Sequence, residues 1–290
     1  RCVNPQSAED LRFAADRHLG EGRPSIALSL ATRATKLATD SPELLVLRGW
    51  CRFNLDDISS AEADFLDAVK ADRGFAEAHD GLGHVAWQQG DLEEAKKHFT
   101  NAIRNDAEDP EYLVSRGDVN LDLGEYAEAR RDFEAAIELD ADYIDAKRGL
   151  AFAHIDLDEF DAGLAILDTI IESYKQDPEV FYYAGWALKN LNRLDEAVDV
   201  LQAVTKLDAE HVDAHNALCE VLLELNRFEE ALPSAIIARN AYPDDAQAAC
   251  RHGLALVGTG NIAEGIAEVG RAKELDPDDE DIAGAYEYLQ

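Results

Sequence analysis

The sequence advances in steps of 34 residues. From Gly49, successive steps land on Gly83, Gly117, Ala151, Gly185, Cys219 and Gly253, and one step back lands on Ala15. All eight are small. A second ladder lies twelve residues further on, at Ala27, Ala61, Ala95, Ala129, Gly163, Ala197, Ala231 and Gly265. A third runs through Ala34, Ala68, Ala102, Ala136, Ile170, Val204, Ala238 and Ala272. Agreement across eight registers marks a chain built from copies of one supersecondary unit, each too small to bury its apolar face alone. Small residues at matched positions let two helices joined by a short turn approach closely. The first ladder therefore falls midway along a helix A and the second early in a helix B.

The joints repeat as well. Between the helices stand Gly22, Asp56, Gly90, Gly124, Asp158, Asn192, Asn226 and Gly260. These are the residue types that take a left-handed backbone at a helix C-terminus at least cost. The segments Ser41-Pro42-Glu43, Asp109-Pro110-Glu111 and Asp177-Pro178-Glu179 read as helix starts, each with a cap residue, proline in the first turn and then an acid. Phe65, Phe99, Phe133, Leu167 and Leu201 share one position of helix B and supply the large core side chains.

With segments such as Gly90-Asp91-Leu92-Glu93-Glu94-Ala95 and Ala135-Ala136-Ile137-Glu138-Leu139-Asp140, this pattern resembles the tetratricopeptide repeat. The resemblance covers residues 8–279. It implies an all-α fold, a right-handed superhelical α-solenoid of antiparallel helix pairs with the A helices lining a concave groove. Eight repeats start near residues 8, 42, 76, 110, 144, 178, 212 and 246. Residues 280–290 read as one capping helix, because there the small-residue rung falls on Glu287. Residues 1–7 read as an irregular lead-in.

Composition narrows the function. The formal net charge is −33, from 60 acidic and 27 basic residues, so nucleic acid and anionic membrane surfaces are disfavoured partners. No apolar run is long enough to span a membrane. Cys2, Cys51, Cys219 and Cys250 match neither a disulfide framework nor a metal motif. As free thiols they favour a reducing, cytoplasmic compartment over export. The chain begins at Arg1 and contains no Met, which reads as a processed or trimmed piece.

Chemistry is sparse. The glycines stand singly, one repeat apart, and form no phosphate-binding loop. No catalytic constellation and no cofactor site emerges, so the expectation is a non-enzymatic protein. The first-turn acids Glu9, Glu43, Glu77, Glu111, Asp145, Glu179 and Asp213 read as helix-dipole partners. His211, His215 and Cys219 share a helical face with the spacing of a zinc pair. His215 and Cys219 fall on rungs facing helix B, however, so core packing is the preferred reading and no metal is expected.

In proteins of the resembled family, ligands contact the exposed side of the A helices. In this register that side comprises the second, fifth, sixth, ninth, twelfth and thirteenth residues of each repeat. Leaving out the second, which reads as capping, one in five of these residues is aromatic, against 8% of the chain, and all three tryptophans are among them. The candidate partner-binding residues are Trp50, Phe53, His84, Trp87, Asp118, Phe152, Tyr182, Tyr183 and Trp186. They form two aromatic groups, on repeats two and three and on repeats five and six. Exposure to the groove is expected for the tryptophans, while Phe13 and Tyr183 fit either the groove or the seam between A helices. Some family members hold a C-terminal carboxylate with a Lys-Asn pair on one A helix. The corresponding rungs here carry pairs such as Val46 with Trp50 and Asp80 with His84, and no repeat matches.

The sequence thus reads as a scaffold binding a peptide segment or helix of a protein partner, with basic or aromatic and apolar features. A self-assembling structural protein and an interaction module of a larger protein are the alternatives.

Overall fold

The computed structural model describes residues 7–171, 173 and 175–290. The expected lead-in therefore lies outside the described residues apart from Ser7, and so does Cys2. Ser7 caps the first helix, its hydroxyl accepting from the Asp10 amide while the Asp10 side chain accepts from the Ser7 amide.

The described residues form seventeen α-helices and no strand. Two compact units divide the chain, Arg1–Ala153 and His154–Gln290. The first holds α1 (Ala8–Gly20), α2 (Pro24–Leu37), α3 (Pro42–Phe53), α4 (Ile58–Ala71), α5 (Ala76–Gln88), α6 (Leu92–Asn105), α7 (Pro110–Asp122), α8 (Tyr126–Leu139) and most of α9 (Ile144–Asp156). The second holds the end of α9, then α10 (Phe160–Ile170), α11 (Pro178–Asn190), α12 (Leu194–Leu207), α13 (Val212–Glu224), α14 (Phe228–Ala241), α15 (Ala246–Gly258), α16 (Ile262–Leu275) and α17 (Glu280–Leu289).

Helix pairs arise because the turn ladder stops each odd-numbered helix. All eight turn residues have positive φ, from 55° at Asn226 to 90° at Gly260. This left-handed step ends one helix and lets the next start within a few residues. Ser41, Asp109 and Asp177 then cap α3, α7 and α11 through their side-chain oxygens, each followed by proline in the first turn.

Packing within a pair joins the small ladder to the large one. A Cβ on Gly83 would stand 2.6 Å from Cε1 of Phe99, and one on Gly117 would stand 2.7 Å from Cε1 of Phe133. Phe65, Phe99 and Phe133 are fully buried. In the last pair the backbones themselves meet, with the Gly253 Cβ position 2.8 Å from the Gly265 carbonyl oxygen. Beyond that pair, α17 buries Ile282 against a cluster containing Cys250 and Val269 and leaves Glu287 in solvent.

Buried ion pairs accompany this core. Arg48 meets Asp64 through two bonds of 2.9 and 2.5 Å, and Arg52 adds a third at 2.7 Å. Two repeats later Arg116 meets Asp132 at 2.9 and 2.6 Å, with Asn120 donating to the same carboxylate. Both aspartates are buried. Each therefore requires its partners, since a lone buried carboxylate is strongly disfavoured.

Candidate functional site

Within the first unit, α1, α3 and α5 pack side by side. Their outward face differs from the sequence reading at two rungs. The sixth residue of a repeat packs toward the preceding helix B: a Cβ on Gly81 would stand 2.5 Å from Phe65, and one on Gly149 would overlap the ring of Phe133. The fifth residue is largely enclosed, as at Val46, Asp80 and Val114. Rungs nine, twelve and thirteen form the open face. Phe13, a sixth-rung residue on the first described helix, remains 58% exposed, with the Arg12 guanidinium 4.5 Å above its ring.

The residues expected on repeats two and three do come together. Trp50 lies edge-on to Phe53 with centroids 5.5 Å apart, and the Trp50 and His84 rings are 5.4 Å apart. His84 stacks with Trp87 at 6.0 Å. The buried rings of Phe65 and Phe99 support the group from below, against Trp50 and against His84 and Trp87. Trp50, expected to be exposed, is thus half-buried and packs on the core. Trp87 is also half-buried, and its indole N–H donates to Asp122 Oδ2 at 2.6 Å. A buried tryptophan edge needs such an acceptor. Phe53, Asn54, His84, Trp87 and Gln88 line an open cleft of about 500 Å³ between the C-terminal ends of α3 and α5.

The second aromatic group divides between the units. Phe152 belongs to the first, where it is half-buried on α9. In the second unit Tyr182 and Tyr183 meet edge-on at 5.9 Å, and Tyr183 lies 6.1 Å from Trp186. Tyr182 also packs on His211, 5.1 Å away at the start of α13, and Tyr183 hydrogen-bonds to Asp156. Both tyrosines therefore brace neighbouring A helices and only part of each ring is open.

Burial tunes the acids of this face. It raises Asp118 to about 7 despite the nearby Arg148. It raises Asp80 to about 8, helped by the negative charges of Glu111, Asp109 and Glu77. Burial also lowers His84 to about 4, so this ring is uncharged at neutral pH. Asp16 pairs with Arg12, and Glu220 takes both Lys189 at 2.9 Å and Arg251 at 3.4 Å.

The remaining candidates pack in the core. His215 uses Nδ1 with Ser234 Oγ at 3.0 Å and Nε2 with the Ala209 carbonyl at 3.2 Å. Cys219 is buried, and burial raises its thiol to about 12. His211 caps α13 by accepting from the Ala214 amide. Among the described residues no group of three or more His, Cys, Asp or Glu is placed to hold a metal. No described helix is long and apolar enough to cross a membrane.

Two tetratricopeptide-repeat family models match, one over residues 14–75 and 81–144 and the other over 120–182 and 191–250. The chain belongs to the tetratricopeptide repeat family. Proteins of this family are in general non-catalytic scaffolds, and the repeats of this chain indicate a scaffold for protein–protein interaction. Comparison with curated protein sequences gives no match. Among solved structures, the tetratricopeptide repeat fold recurs in a protein from Parabacteroides merdae, 15% identical, with TM-score 0.55 and coverage of 98% of this chain and 99% of the other. It recurs in the APC/C hetero-tetramer Cut9-Hcn1, 14% identical, with TM-score 0.70, covering 98% of this chain and 56% of that one. YrrB, a tetratricopeptide repeat protein with an unusual peptide-binding site, is 25% identical with TM-score 0.51, covering 67% of this chain and 97% of its own.

Proposed function

We propose that this chain is a non-catalytic scaffold that binds a peptide segment or helix of a partner protein along the open face of its A helices. The repeats start near residues 8, 42, 76, 110, 144, 178, 212 and 246, with a capping helix over 280–290. The observation carrying this reading is the contiguous ring cluster of Trp50, Phe53, His84 and Trp87 beside an open cleft. Aromatic anchors set in partly desolvated pockets carry most of the energy of a typical interface. Asp118 and Phe152 add to this surface in the first unit, and Tyr182, Tyr183 and Trp186 form a group of their own in the second. The description of YrrB as having a peptide-binding site adds a precedent among similar folds.

Photo-crosslinking tests the face directly. A photoreactive side chain is placed at Gln88, which lines the cleft, or at Lys97, exposed on the B helix α6. Partner segments selected against the intact chain should crosslink from position 88 and not from position 97. The opposite pattern would move binding to the B-helix side.

A further inference from the structure

The cleft between α3 and α5 is selective in its chemistry as well as its shape. Phe53, His84 and Trp87 give it ring faces, which carry partial negative charge. A carboxylate stands behind each of two lining residues. Asp122 Oδ2 accepts from the Trp87 indole at 2.6 Å, and Asp56 Oδ1 accepts from the Gln88 amide at 3.3 Å. Both donors are neutral, so neither bond offsets the charge of its acid, and each carboxylate keeps further acceptor sites.

Elsewhere the chain neutralises several acids of this face itself, although Asp156 meets only the neutral Tyr183 hydroxyl. Arg12 serves Asp16, Arg148 lies beside Asp118, and Lys189 and Arg251 serve Glu220. In contrast, no lysine or arginine pairs with Asp56 or Asp122 among the described residues. The open rungs of the first unit, the ninth, twelfth and thirteenth residues of each repeat, carry Asp16, Asp118 and Asp122 and no Lys or Arg at all. His84, the one nitrogen base in the cleft, is kept neutral by burial and so does not repel a cation.

Resting on the scaffold reading above, we propose that this cleft holds the guanidinium of one arginine side chain from the bound protein segment. Its plane stacks on the Trp87 face, in the field of the nearby Asp122 and Asp56 carboxylates. Arginine fits better than lysine because its flat, weakly hydrated fork stacks on a ring and donates in two directions at once. The net charge of −33 draws such a segment in from a distance.

The test uses four acetylated, amidated tripeptides with Arg, Lys, citrulline or norleucine between two glycines. Each is titrated into the full chain while the three indole N–H signals are followed by NMR and assigned with Trp→Phe variants. The arginine peptide should shift the Trp87 signal, with a smaller change at Trp50 and none at Trp186. Citrulline, the same shape without the charge, should bind about ten-fold more weakly, a difference of ~1.4 kcal/mol. The double variant Asp56→Asn/Asp122→Asn keeps an acceptor for Trp87 and a residue type suited to the left-handed turn. It should lose arginine binding by a similar factor at an unchanged melting temperature. Four results would overturn the inference: equal binding of citrulline, shifts spread equally to Trp186, arginine binding untouched in the double variant, or no shift at Trp87 with about 10 mM arginine peptide, where even millimolar affinity would register. A fifth, preferential binding of norleucine at Trp87, would overturn the cation and leave the scaffold reading standing.

Discussion

Gly83 faces the ring of Phe99 so closely that a Cβ on the glycine would stand 2.6 Å from the ring carbon Cε1. The contact joins the small ladder of the A helices to the large ladder of the B helices, and it recurs at Gly49 with Phe65 and Gly117 with Phe133.

Adding a methyl group at this contact forces the buried ring to move. Gly117→Ala should destabilise by about 1–3 kcal/mol through overpacking, and Gly117→Leu by more. Gly20, at the end of α1 with nothing within 4 Å of its Cβ position, is the control. There alanine should be neutral or stabilising by up to ~1 kcal/mol, because it restricts the unfolded chain. Paired thermal melts check this, and equal effects at the two sites would place the interhelical contact elsewhere.

The buried carboxylate of Asp64 is held by Arg48 and Arg52. Removing it leaves two guanidinium groups without their carboxylate, with only the Thr35 hydroxyl and the Ser60 carbonyl as acceptors, so Asp64→Ala should cost about 3–5 kcal/mol. Replacing Arg48 and Asp64 together by apolar residues of similar volume should cost less than the sum of the single changes. A denaturant double-mutant cycle reads the coupling, and strict additivity would contradict it.

These ion pairs were not legible in the sequence, and the reason is physical. Arg48 and Asp64 are sixteen residues apart in a chain with 30% charged residues, so nothing in their spacing distinguishes a buried pair from a solvated one. The turns were legible because backbone geometry permits few residue types at positive φ, and Asp56, Asp158, Asn192 and Asn226 all adopt it. The face carrying Trp50, Phe53, His84 and Trp87 follows from the resemblance to the repeat family. Helical periodicity could not tell how far each helix B overlaps the next helix A. For that reason the sixth rung was placed in the groove, whereas Gly81 and Gly149 turn it against Phe65 and Phe133. Glycine at those two rungs was the available sign of a close neighbour.

Burial of Asp80 should give the fold a pH dependence whose sign follows from the direction of its shift. Its carboxyl is raised to about 8 by burial and by Glu111, Asp109 and Glu77, and its Oδ1 accepts no hydrogen bond. A raised acid pKa means that the folded state holds a proton the unfolded state has released. Stability from this group therefore falls as pH rises from about 4 to about 8. Asp80→Asn should flatten that part of the profile and raise the melting temperature at pH 8 relative to the parent chain. A variant that melts lower than the parent at pH 8 would show that Asp80 is stabilised as a carboxylate.

Trp50 and Trp87 should separate in their consequences. Trp50 rests on Phe65 within the core, so Trp50→Ala should cost about 3 kcal/mol of stability as well as binding. Trp87 borders the cleft, and Trp87→Phe should preserve folding while losing the indole bond to Asp122. Melting curves of the two variants check both outcomes, and a Trp87→Phe protein that melts as low as Trp50→Ala would contradict the second.

The central claim is that the aromatic face of the A helices holds the partner, and calorimetry tests it most directly. A peptide selected against the intact chain is titrated into wild type and into Trp87→Ala, with the melting of each protein measured alongside. The account predicts binding weaker by about 2 kcal/mol, roughly thirty-fold, in a variant that still melts cooperatively. A Trp87→Ala protein that melts cooperatively and binds the peptide as tightly as wild type would contradict it.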